Sequence, residues 1–411
     1  MINVAIMGHG VVGSGVAEIL IKNADLIAKN TKEQINIKYI LDLRDFDGLD
    51  YSDKFTKDFN DILNDSDVKV VAEAMGGLHP AYEFTKALLE SGKSVVTSNK
   101  ELVAEKGDEL LNIAQQKNVN YLFEASVGGG IPVLRPIAQC LAANKLFEVQ
   151  GILNGTTNFI MTKMVNEGVS FEDALEEAQR LGYAEKDPTA DVEGHDACRK
   201  ICILAALAFG KHIYPKDVRT EGITKITSAD TAYADYAGCV IRLIGRARLT
   251  ENGKCSIAVY PAFVNKKNQL AHVNDVFNAI LVRGDAVGDV LFYGRGAGKL
   301  PTASAVVADI IDSVKHLSAR KYLSWDVYED GYVADCSEDN VRLYVRVKSA
   351  AVRDVLVSNA EALFGEILVL GRNAEPQDEI AFITPYSSEK TLLSQLEKLD
   401  GTVISTMRLL D

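Results

Sequence analysis

Short apolar runs alternate with longer amphipathic stretches over the first third of the chain. Residues 2–7 read as a buried strand, followed by Gly8-His-Gly-Val-Val-Gly13 and a helical stretch over residues 14–29. A second strand over 35–41 ends at Asp42, and a third over 68–73 leads into Ala74-Met-Gly-Gly77. Pro80 opens a helix to residue 90, and 93–97 is a fourth strand. A helix over 106–117 precedes a strand over 120–123. Strands that alternate with helices predict an α/β fold with a doubly wound, parallel, Rossmann-type sheet.

The pattern changes after residue 130. A strand over 147–153 runs into Asn154-Gly-Thr-Thr-Asn158 and a helix, and strands follow over 256–264, 275–282 and 288–293. Polar and glycine turns join them, which predicts an α+β second domain. Pro301 then opens a helix toward residue 316, where its missing N–H costs least. In the tail, strand 341–347, helix 352–362, strands 366–371 and 379–384, helix 388–399 and strand 403–409 spell β-α-β-β-α-β, a ferredoxin-like unit. The expected domains are 1–130, completed by a segment near 295–320, then 131–335 and 340–411.

Composition narrows the function classes. The formal charge of −13 argues against a broad nucleic-acid surface. No apolar run reaches membrane-spanning length, and no basic, apolar leader is present. The six cysteines form no CxxC pair, so they read as reduced and structural in a cytoplasmic protein.

Two stretches carry chemistry. Gly8, Gly10 and Gly13 follow a strand and open a helix, the context in which such a turn lets a pyrophosphate approach the backbone. Val11 and Val12 complete that turn. Asp42, at the end of the second strand, suits a ribose 2′-hydroxyl and hence NAD, whereas Arg44 suits the 2′-phosphate of NADP. Both cofactors stay open on these two residues. Ser98 and Lys100 follow the fourth strand, on the edge that faces a ligand crevice in parallel sheets. The second stretch runs from Gly182 to Lys200, a carboxylate-rich loop entering an apolar helix that stops at Gly210. Asp196 and Lys200 lie four apart on one helix face. A partly desolvated lysine there suits proton transfer; the alternative is a plain ion pair contributing roughly 0.3–0.5 kcal/mol.

Seven motifs then converge in order. They are Gly8-His-Gly-Val-Val-Gly13, Thr97-Ser-Asn-Lys100, Glu124-Ala-Ser-Val-Gly128, Gly151-Ile-Leu-Asn-Gly-Thr-Thr-Asn158, Gly182-Tyr-Ala-Glu-Lys-Asp-Pro188, Asp191-Val-Glu-Gly-His-Asp-Ala-Cys-Arg-Lys200 and Gly296-Ala-Gly-Lys-Leu-Pro-Thr302. Together they resemble the homoserine dehydrogenase family over residues 1 to about 320. The resemblance implies reversible reduction of L-aspartate 4-semialdehyde to L-homoserine with NADH or NADPH, a reaction of threonine and methionine biosynthesis. It implies Lys200 as the proton donor and acceptor, and Lys100 as a second lysine at the reacting group. Glu185 would hold the substrate ammonium, with Asp191 and Asp196 as further acids and Thr156 and Tyr183 lining the substrate. Gly298 would return to the cofactor. Glu124, Val127, Gly129 and Ile131 match a sodium site of the family. On its residues alone, Glu124 reads as a buried acid satisfied by backbone N–H groups.

The tail resembles an ACT domain, which in this family implies a threonine effector. It departs from that pattern at Lys348-Ser-Ala-Ala-Val-Arg353, where the usual glycine is missing. A structural or oligomerising tail is the other reading, and the family implies a homodimer, with homotetramers also expected. A non-catalytic dinucleotide sensor would have no need of Lys100 and Lys200. A phosphorylating semialdehyde dehydrogenase needs a nucleophilic cysteine, and no cysteine here lies in a turn beside a basic residue.

Overall fold

A computed structural model describes residues 1–410 apart from Arg320, Tyr322 and Ala374. Residue 320, at the end of the segment expected to complete the first domain, and Asp411, at the end of the tail, lie outside the described residues.

Two compact units do not follow chain order. The first comprises Met1–Val149, Arg199–Pro215 and Ile280–Asp330, and the second Gln150–Cys198, Lys216–Ala279 and Gly331–Asp411. The helix His195–Phe209 belongs to both.

The first unit contains a six-stranded, all-parallel sheet. From one edge its strands are Phe55–Thr56, Ile35–Leu41, Ile2–Met7, Val68–Glu73, Ser94–Thr97 and Tyr121–Leu122. Near-continuous burial of Val4–Met7 and Val70–Glu73 explains why these stretches are apolar up to Glu73 rather than alternating. The order reverses between Ile2–Met7 and Val68–Glu73, which marks the ligand crevice. The helix Val11–Lys22 leaves the glycine turn directly. It packs against the helix Lys299–Lys315 at Gly15, where an added Cβ would come within 2.9 Å of the Ala303 Cβ.

The single helix expected over 14–29 is two helices, Val11–Lys22 and Ala24–Thr31. Asn23 breaks it at φ −105°, ψ 19°, its N–H closing the first helix on Ile19 and its carbonyl accepting from Ile27 in the second. Asparagine favours such junctions because it competes with the helical backbone. The helix expected from residue 106 begins at Lys100, capped by the Asn99 side chain.

In the second unit, strands Cys239–Leu249 and Cys255–Asn265 pair antiparallel along their full length. The tail forms strand Leu343–Lys348, helix Arg353–Phe364, strands Leu368–Leu370 and Glu379–Ile383, helix Glu389–Leu396 and strand Thr402–Leu410. Its last strand and first strand are neighbours, followed by the third and then the second. This is the ferredoxin-like arrangement with the expected β-α-β-β-α-β order. The last strand also pairs parallel with Cys255–Asn265, so the two strand sets of this unit are continuous.

Candidate active site

The glycine turn closes tightly on its neighbours. Gly8 has φ +89°, and an added Cβ there would sit 2.9 Å from the Ala74 carbonyl oxygen. At Gly10 nothing lies within 4 Å of an added Cβ, so this backbone faces open space. Gly8, Gly10, Asp42, Arg44, Lys57 and Met75 line one cavity of about 820 Å³, a volume that suits a cofactor. Val11, the first residue of the helix, is exposed, whereas Gly13 is buried and Val12 half-buried. Gly298 caps the helix Lys299–Lys315 with φ +125°.

Asp42 is heavily engaged. Its carboxylate accepts from the His9 N–H at 2.7 Å and the Arg44 N–H at 3.0 Å. The Arg44 guanidinium adds two bonds, at 3.0 and 2.9 Å, and donates a further one to the His9 carbonyl. Arg44 therefore holds the Asp42 carboxyl well below the usual carboxylate range. His9 itself is a structural residue of the turn, packed edge-on against Phe46 and Phe55. Burial lowers its pKa.

Lys100 is the first residue of its helix, directly after Ser98 and Asn99. Asn99 Oδ1 accepts from the Leu102 N–H, and its Nδ2 donates to the Gly77 carbonyl at 2.6 Å. Behind this turn sits Glu73, which the sequence reading passed over. It is fully buried at the carboxyl end of its strand.

The acid-rich loop is organised by Asn154, also passed over as a site residue although its motif was noted. Asn154 Nδ2 donates to Asp191 Oδ1 at 2.7 Å and to Asp196 Oδ2 at 2.8 Å. Its Oδ1 caps the helix Gly155–Glu167 by accepting from the Thr157 N–H. One amide thus ties two carboxylates to a helix start. Thr156 Oγ1 donates to the Tyr183 carbonyl at 2.6 Å, and the Tyr183 ring meets Phe159 edge-on at 5.1 Å. Glu185 is exposed, its main-chain carbonyl accepting from Gln179 Nε2.

Asp196 and Lys200 are 3% and 8% exposed on the helix His195–Phe209, while His195 is exposed. A buried acid and a buried base one turn apart distinguish this helix from an ordinary surface pair. Arg199, between them in sequence, turns away to Glu101.

Glu124 is buried, and its carboxylate accepts from the Val133, Leu134 and Arg135 N–H groups at 2.6–2.8 Å. The side chain is thus satisfied by backbone donors. Gly129 adopts φ +54° and Ile131 N–H donates to the Gly128 carbonyl, which winds the 127–131 loop tightly; Val127 is buried. Asp309 accepts from the Glu124 N–H and from Arg135. Among the described residues, no cluster of three or more His, Cys, Asp or Glu side chains is placed to hold a metal, and no helix is long and apolar enough to cross a membrane.

Two family models match the chain: the homoserine dehydrogenase NAD-binding domain over residues 8–124 and homoserine dehydrogenase over residues 132–311. A homoserine dehydrogenase of Neisseria gonorrhoeae is 43% identical over 320 residues, covering 77% of this chain and 73% of that protein. That of Bacillus subtilis is 35% identical over 417 residues, covering 97% and 95%. The solved homoserine dehydrogenase of Thiobacillus denitrificans superimposes with a TM-score of 0.89 at 35% identity, covering 100% of this chain and 98% of that one. A hyperthermophilic archaeal homoserine dehydrogenase in complex with NADPH gives a TM-score of 0.64 at 28% identity, covering 76% and 97%.

Proposed function

This chain belongs to the homoserine dehydrogenase family and is an NAD(P)-dependent oxidoreductase, and from that premise we propose how its residues divide the work. Lys200 gives a proton to the aldehyde oxygen of L-aspartate 4-semialdehyde and takes it back from the hydroxyl of L-homoserine. The observation that carries this role is the burial of Lys200 one turn after a buried Asp196. An ammonium shielded from bulk water stabilises a developing alkoxide and supplies its proton at once. Asp196, pinned by Asn154, sets the charge beside that lysine. Lys100 is the second cation at the reacting oxygen, and Glu185 and Asp191 meet the substrate ammonium. Thr156 and Tyr183 line the substrate, and holding it at two ends contributes several kcal/mol through positioning alone.

The open backbone at Gly10 and the cavity that continues to Asp42 fit a dinucleotide. Gly8, Gly10, Val11, Val12 and Gly13 hold its pyrophosphate, with Ser98 and Gly298 bordering it. The dinucleotide supplies the hydride. Arg44 and Lys57 line the end where a 2′-phosphate belongs, which favours NADP. A sodium ion is assigned to the main-chain carbonyls of Glu124, Val127, Gly129 and Ile131, because the Glu124 carboxylate is already used by three N–H groups.

The tail is assigned a structural role before an effector role. Its strand-to-helix turn, Ser349 to Val352, carries a Cβ at every position where an amino-acid ligand such as threonine needs to approach the backbone. Assembly as a homodimer or homotetramer belongs to the same reading.

Nicotinamide absorbance tests the assignment. Homoserine with NAD⁺ or NADP⁺ is expected to produce reduced cofactor. Lys200→Ala is expected to abolish turnover with cofactor affinity retained. Undiminished turnover in that variant removes Lys200 from the chemistry.

A further inference from the structure

Glu73 has no part in the roles above, yet it is fully buried at the carboxyl end of Val68–Glu73. Backbone and side-chain groups of the two following loops donate to it. The Met75 and Gly76 N–H groups reach Oε1 at 2.8 and 3.4 Å. The Thr97 hydroxyl reaches Oε2 at 2.5 Å. That hydroxyl accepts from the Asn99 N–H at 2.9 Å, and among the described residues Glu73 is the acceptor its own proton reaches. Backbone N–H groups only donate, and both carboxylate oxygens therefore face hydrogens. A protonated carboxyl would either set its own hydrogen against a backbone N–H or turn the Thr97 hydroxyl into an acceptor, leaving that buried hydroxyl's proton without its acceptor. Burial pulls the other way and raises the pKa, but the donor set matches the ionised form.

The place of this anion gives it a consequence. Asp42, which marks the adenosine end, follows the strand Ile35–Leu41 on one side of Ile2–Met7. Val68–Glu73 and Ser94–Thr97 lie on the other side. A dinucleotide laid across the switch point puts its nicotinamide beyond the carboxyl ends of these two strands. Glu73 bonds the loops that leave both of them.

We propose that Glu73 is a fixed buried anion under the nicotinamide end that favours the oxidised, cationic ring over the reduced, neutral one, and so assists hydride departure from NAD(P)H. The idea rests on the cofactor reading above. Glu73 acts through the field and through the two loops it ties, and touches no reacting atom. A unit charge in a site shielded from water shifts an equilibrium between a cationic and a neutral ring by about tenfold.

The test is the ratio of dissociation constants for oxidised and reduced cofactor, read by titration of reduced-cofactor fluorescence and by competition. Glu73→Gln, which keeps the shape and removes the charge, is expected to weaken the oxidised form about tenfold more than the reduced form. Thr97→Ser, which keeps the hydroxyl donor and the carboxylate and removes only a methyl group, is the second variant. It is expected to change both affinities by the same factor, because the charge remains. An unshifted ratio in Glu73→Gln overturns the proposal. So does a shifted ratio in Thr97→Ser, since loosening the turn would then suffice. Absence of binding by the unaltered protein overturns the cofactor reading itself, whereas binding with an unshifted ratio overturns only the role of Glu73.

Discussion

At the scale of single residues, Asp42 and Arg44 act as one unit. Sequence position alone left them as rival markers of NAD and NADP, because position does not say which bonds a carboxylate has already made. Asp42 accepts four hydrogen bonds from His9 and Arg44, and the guanidinium is thereby held at the cavity wall. Arg44→Ala is expected to lower kcat/KM with NADP about tenfold or more, the worth of a charge-assisted hydrogen bond, and to leave NAD turnover nearly unchanged. Steady-state rates with both cofactors check this. The Asp42 carboxyl is depressed below its ordinary value, chiefly by hydrogen bonding from the Arg44 side chain. A depressed acid contributes stability that is present above the unfolded pKa, near 3.8, and lost as pH falls through the folded one. Asp42 is therefore charged at every neutral pH. The ratio of NADP to NAD turnover is expected to stay flat between about pH 5 and about pH 9 as far as this residue governs it. A step in that ratio near neutrality would point to a different titrating group.

Among elements, five of the six strands of the parallel sheet were legible because burial on both faces writes itself as a largely apolar run, whereas Phe55–Thr56 is two half-buried residues and too short to leave one. Ile2–Met7, Ile35–Leu41 and Val68–Glu73 fall where the sequence pattern placed them. Cys239–Leu249 was not legible, because Arg242, Arg246 and Arg248 interrupt its apolar run. Arg242 is nevertheless 1% exposed, its guanidinium donating to the Ala271 carbonyl and Asn274 Oδ1. Those partners come from a distant segment and leave no local signal. The same limit hid Glu73 and Asn154, whose roles lie in the groups they join. Asn154 combines a helix cap with two donated bonds to Asp191 and Asp196. Asn154→Asp keeps the cap oxygen but replaces the donor with a third carboxylate facing two others. Asn154→Ser keeps a cap and removes the donor without adding charge. Both variants are expected to fold, with cap losses of about 1 kcal/mol or less. Asn154→Asp is expected to lose about tenfold more kcat/KM than Asn154→Ser, since close like charges favour protonation of one partner. Equal losses in the two variants would show that only the missing amide donor matters.

For the chain as a whole, the question is what the tail does when no effector is bound. Its final strand, Thr402–Leu410, pairs parallel with Cys255–Asn265 through Ala262–Arg408, Phe263–Leu409 and Val264–Leu410. Leu410 and Cys336 enter the same apolar cluster as Tyr260, Val264 and Ile152. Beside that seam, Glu389 accepts two bonds from Arg408 and one from Arg219, all within the second unit. Glu389 and Arg408 are buried, and the Arg408 guanidinium lies 4.7 Å from the centre of the Tyr260 ring. The pair is internal to the tail, but Arg219 and the Tyr260 ring are not, and a module attached only by a linker would neither pair its strand with Cys255–Asn265 nor bond Arg219. Glu389→Ala leaves Arg408 buried with its carboxylate gone, at a cost of about 3–5 kcal/mol for breaking a buried pair. Arg219 is 39% exposed and can turn to water, so the loss belongs at the lower end of that range. The variant is expected to unfold at a clearly lower urea concentration, and to turn homoserine over at the normal rate wherever it remains folded. A matching urea midpoint would mean that the Glu389–Arg408 pair carries none of the stability of the tail or of its seam. A normal midpoint with altered homoserine kinetics would instead make the Glu389 seam a route by which the tail acts on the substrate loop.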